Sequence, residues 1–170
     1  MAGNDANFFV RDATNGSRLP FRIRPGAPSN SIYVDFDGDV GIGTASPSAK
    51  IHVTGDATID GNLSVGSSRK MKNDLGVVDG SDLLSRLSGL PIHNWRYLTE
   101  PEEVSHIGPM AEDFHAAFGL NPDAERLSLV DSTGLALAGV QELHSQLHAR
   151  DQEIADLRSR LAALEARMEP

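Results

Sequence analysis

Between Gly66 and Lys72 the chain reads "GSSRKMK", placing two adjacent hydroxyls and three cations within seven residues. Ser67 and Lys72 are five apart, Ser68 and Lys72 four apart, and Ser67 and Lys70 three apart. Each spacing could make a serine-lysine pair, in which a neutral amine takes the hydroxyl proton and the oxygen attacks an acyl carbon. The demand on such a base is plain, since a solvated lysine amine costs roughly 4 kcal/mol to deprotonate near pH 7.5. Burial and neighbouring cations both favour a neutral amine, and Arg69 and Lys70 supply the cations. The competing reading is a polar cap followed by a basic turn, because serine is a favoured cap residue.

The stretch sits on a seam between two kinds of sequence. Upstream, "NFFVRD", "PFRIRP", "SIYVDFDGDVGIG" and "KIHVTGDATIDGNLSVG" alternate apolar with polar residues. Asn15-Gly16, Asp37-Gly38, Gly55-Asp56 and Asp60-Gly61 punctuate them, so residues 1–66 are expected to form short strands joined by tight turns. Strands this short bury too little to offset their ordering entropy alone, and identical chains wrapped together would supply the missing burial. "DFDGD" spaces Asp35, Asp37 and Asp39 like the first ligands of a calcium loop. Val40 then stands where such a loop needs glycine and Ser46 where it needs glutamate, so a solvated turn is expected instead.

Downstream, apolar residues fall at Val140, Leu143, Leu147, Ile154, Leu157, Leu161, Leu164 and Met168, a three-four spacing interrupted by Arg150. This is a coiled-coil seam over residues 140–170. In a parallel neighbour Glu153 would meet Arg158 and Arg160 would meet Glu165. The seam residues are compatible with two strands or three. His144 and His148 lie on the same helix without a converging carboxylate, and the other four histidines show no ligand spacing, so neither metal nor cofactor is expected.

Composition narrows the partners. The 170 residues carry a net charge of -9, with seven acids and five bases in residues 1–66 and seventeen and ten in 67–170, which disfavours nucleic acid and anionic membranes. No stretch approaches the roughly 18 apolar residues of a membrane span, and "MAGNDANFFVRD" lacks the pattern of a signal peptide. Cysteine is absent, which removes disulfides and thiolate chemistry.

Four segments in order then carry a resemblance: "SSRKMK", "LPIHNWRY", "HIGPMAEDF" and "LVDSTGLALAGVQEL", followed by the coiled coil. Together they resemble the C-terminal intramolecular chaperone domain of phage tail spikes and fibres, including endosialidases. Ser67 and Lys72 fall on the family's Ser-Asp-x-x-x-Lys motif, while Ser68 replaces its aspartate and Glu112 its usual glutamine. "VGIGTASPSAKIHV" looks like the β-structured stalk that precedes such domains.

The resemblance implies self-cleavage between Gly66 and Ser67, with Ser67 as nucleophile and Lys72 as base. Ser68, one residue past the bond, is expected to be dispensable. It further implies a homotrimer, an α+β architecture, and three parts: a β-rich fibre stalk over 1–66, a chaperone body over 67–139 and a parallel trimeric coiled coil over 140–170. The setting implied is a virion tail fibre or an extracellular injection appendage, assembled in the producing cell's cytoplasm beneath a parent stalk. The alternative is a permanent trimeric tip that never cuts.

Overall fold

The computed structural model of the chain describes residues 2–4, 7–14 and 16–168, so Asn15 of the expected Asn15-Gly16 turn lies outside the described residues, as do Glu169 and Pro170. The chain divides into two compact units, Met1–Met71 and Lys72–Pro170.

The first unit is made of short strands. β1 (Ala2–Asn4), β2 (Asn7–Asp12) and β3 (Arg18–Ile23) form an antiparallel meander. Phe8 pairs with Ile23 and Val10 with Phe21, and a bulge lies between Val10 and Asp12. Side chains alternate across a strand, so Phe8, Val10, Phe21 and Ile23 share one face. The Phe8 and Phe21 rings meet edge-on with centroids 6.3 Å apart. That face stays open, with Val10 53% exposed.

β4 (Tyr33–Val34) and β5 (Val40–Ile42) make a hairpin around the Asp-Gly turn. Asp35 closes the turn, its Oδ1 accepting the Asp37 and Asp39 N–H groups at 2.9 Å each. The first aspartate of "DFDGD" is thus spent on backbone amides, and Lys50 Nζ pairs with Asp39. β6 (Ile51–Val53) runs parallel to β5, with Val40 opposite Ile51. A parallel pair normally takes a crossover of about a dozen residues. Here residues 43–50 return the chain, and a Cβ on Gly41 would collide with the Thr44 carbonyl, so only glycine admits so tight a path.

The expected strand in "ATIDGNLSVG" is absent: residues 54–68 contain no strand, and Ile59, Leu63 and Val65 are exposed. Alternation prepares a segment for a sheet, but a strand exists only where a neighbouring backbone accepts its ladder.

The second unit is mostly helical. α1 (Gly80–Gly89) starts at Asp79, whose carboxylate accepts the Ser81 and Asp82 N–H groups at 3.0 and 3.1 Å, a standard cap. β7 (His93–Trp95) and β8 (His106–Gly108) pair antiparallel, with Trp95 opposite His106. α2 (Ala111–Phe118) follows. α3 (Leu129–Met168) is one helix of 40 residues, beginning well before the heptad and capped by Ser128 Oγ, which accepts the Asp131 N–H at 3.2 Å. α1 lies on α3 over Gly139, where a Cβ would stand 2.8 Å from Leu87 Cδ1. Among the described residues the covered large apolar side chains are Leu83 and Phe114, a very small core for the length. The architecture is therefore mixed α+β with a long C-terminal helix.

Candidate functional site

The seam residues form a closed turn. Arg69–Met71 is a single turn of 3-10 helix. The Met71 N–H donates to the Ser68 carbonyl at 2.9 Å, and the Lys70 N–H donates to Ser68 Oγ at 3.2 Å. Met71 then folds back on Gly66, so that a Cβ there would stand 3.1 Å from Met71 Cε and 3.5 Å from Sδ. A side chain at 66 would need the exposed Met71 thioether to shift by only a few tenths of an ångström beside the Gly66-Ser67 bond.

Ser67 is the last residue before this turn and Lys72 the first after it, and both are exposed in the single chain. They lie on either side of the division between the two units. Ser68 Oγ accepts a backbone N–H at the head of the turn. The cap reading of "SSRKMK" thus holds for Ser68, whose hydroxyl is engaged with the backbone.

The heptad residues all lie on α3. Val140, Leu143, Leu147, Ile154, Leu157, Leu161, Leu164 and Met168 form one apolar stripe, its exposure running from 46% at Ile154 to 84% at Met168. Arg160 approaches Asp156 one turn back at 3.8 Å, an exposed pair that contributes little.

One cluster is not legible from spacing. The Trp95 ring lies 4.7 Å from His106 and 5.0 Å from Tyr97, the latter edge-on. His106 Nε2 sits 3.0 and 3.1 Å from the two carboxylate oxygens of Glu100. Glu100 also accepts the Tyr97 N–H at 2.8 Å. The His106 hydrogen bond first, and the Tyr97 amide second, hold the Glu100 carboxyl below the usual glutamate range. Beside the cluster is a cleft of about 360 Å³ whose lining includes Trp95, Tyr97, Leu98, Met110 and Glu112. Among the described residues no three His, Asp or Glu side chains converge as metal ligands would.

The described chain thus combines short open sheets, a helical unit with a small core and one long helix with an exposed apolar stripe. Residues 67–123 match the family model described as chaperone of endosialidase. The match begins on Ser67 and covers about a third of the chain. No curated protein matches the chain.

Proposed function

We propose that the chain is the trimerisation and intramolecular chaperone end of a tail-fibre-like protein, and that it cuts itself once between Gly66 and Ser67. The observation that carries the association is surface. Each unit leaves large apolar side chains open: the face of Phe8, Val10, Phe21 and Ile23 and the exposed Ile59, Leu63 and Val65 in the first, and the stripe on α3 in the second. Three parallel copies packed along α3 would bury that stripe, and the strands of residues 1–66 would then find partners in neighbouring chains.

For the cut, Lys72 Nζ takes the Ser67 Oγ proton as that oxygen attacks the Gly66 carbonyl carbon. The Gly66-Ser67 C–N bond breaks with its nitrogen protonated, leaving an ester between Gly66 and Ser67 Oγ. Water hydrolyses the ester to a Gly66 carboxylate and a Ser67 hydroxyl, with Ser67 as the new N-terminus. Substrate and nucleophile share one chain, so orientation is supplied by connectivity and the reaction turns over once. The cut is tied to the packing that assembly supplies, which makes cleavage a report that the stalk is in register.

Intact mass of the aged full chain tests this reading. Two fragments meeting at Gly66-Ser67, lost in Ser67→Ala and in a dissociated variant, are expected. A permanently whole chain refutes the cutting step and leaves the trimeric scaffold.

A further inference from the structure

The Gly66-Ser67 bond enters a turn closed by three local contacts. Ser68 Oγ accepts the Lys70 N–H at 3.2 Å, the Ser68 carbonyl accepts the Met71 N–H at 2.9 Å, and Met71 lies against Gly66. The first contact stands at the head of the turn, and the last touches the residue that supplies the scissile carbonyl. Resting on the reading that Ser67 cuts this bond, we propose that Ser68 is a positioning residue: its hydroxyl holds the 68–71 turn that carries Met71 onto Gly66 and so orients the bond for Ser67.

The physical reason lies in the size of the element. A single 3-10 turn has few hydrogen bonds, and its geometry is poorer than that of an α-helix. Losing the side-chain acceptor at its head exposes the Lys70 N–H and frees the turn to open, at a cost typical of a lost cap, about 1 kcal/mol. When Met71 lifts from Gly66, the peptide carbonyl gains rotational freedom exactly where attack needs a near-contact geometry. Ser68 itself touches no reacting atom. What position 68 needs is a short side chain with an oxygen acceptor, a requirement that aspartate and asparagine also meet and alanine does not.

The test follows the full chain by pulse-labelled cell-free synthesis, measuring the rate at which the two fragments appear in the parent, Ser68→Ala, Ser68→Asn and Ser68→Asp. The thermal midpoint of the assembled protein is measured for each variant in a Ser67→Ala background. Ser68→Ala is expected to slow cleavage about fivefold, the rate equivalent of one lost cap. Ser68→Asn and Ser68→Asp should restore at least half the parent rate, while the thermal midpoint of Ser68→Ala falls by no more than the few degrees of one lost cap. Cleavage of Ser68→Ala at the parent rate, asparagine and aspartate variants as slow as alanine, or loss of the assembled fold in Ser68→Ala, would each overturn the positioning role. A parent that never cuts, or cutting that survives Ser67→Ala, removes the proposed function and the positioning role with it. The Ser67→Ala arm therefore separates the two failures.

Discussion

At the scale of single residues, two neighbours of the same type carry different roles in the proposal. Ser68 accepts the Lys70 N–H, and Ser67, on which the family match begins, is the proposed nucleophile. Ser67→Ala should abolish the cut while the chains stay associated, because it removes one oxygen from an exposed position; intact mass and light scattering on one sample read both outcomes. Lys72→Ala should do nearly the same. Cleavage in Lys72→Ala at the parent rate would remove the dyad.

At the scale of elements, two packings make separable predictions. α1 and α3 approach over Gly139, where a Cβ would already stand 2.8 Å from Leu87 Cδ1. Alanine needs only the end of a leucine side chain to shift, but Gly139→Leu forces the helices apart. It should destabilise the second unit by about 1–3 kcal/mol in denaturant titration, the usual scale of overpacking. The hairpin β7–β8 carries the other prediction. Because the folded state depresses the Glu100 pKa, the stabilisation is fully present above the ordinary glutamate range and is lost as pH falls through the lowered value. Trp95 is the chain's one tryptophan and lies against His106, so its fluorescence reports the cluster. Acidification below about pH 4.3 should loosen the parent's cluster, while Glu100→Gln should flatten that acid limb. An identical acid limb in both proteins would show that the pair does not govern the hairpin.

At the scale of the whole molecule, the exposed stripe on α3 and the open apolar face of the first unit are what the proposed assembly would cover. Replacing Leu157 and Leu161 with Asp puts charges into the apolar stripe at two positions. Light scattering should then give a monomer where the parent gives a trimer, and circular dichroism should show strand signal lost along with it. A parent that stays monomeric at micromolar concentration would sink the assembly. If the double variant keeps its strands, the first unit folds without help from the helix.

What the sequence determined by itself was local. The three-four spacing from Val140 to Met168 dictates an amphipathic helix wherever it folds, and α3 is that helix; the alternation in "NFFVRD" and "PFRIRP" likewise appears as β2 and β3. At the seam, residue type and spacing pointed to a polar cap and basic turn, which the 3-10 turn at Arg69–Met71 is, while Ser67 and Lys72 as a pair came from the family resemblance. Tertiary structure decided whatever depends on a partner distant in the chain. "ATIDGNLSVG" alternates as well as any strand yet has none, because its ladder must come from another backbone. The β7–β8 register sets His106 across from Trp95, and the returning loop sets it against Glu100, relations that no spacing rule contains. The parallel β5–β6 pair likewise depends on a tight return admitted at Gly41. Periodicity is a property of a segment, whereas pairing is a property of two, and the second is fixed only when the chain folds back upon itself.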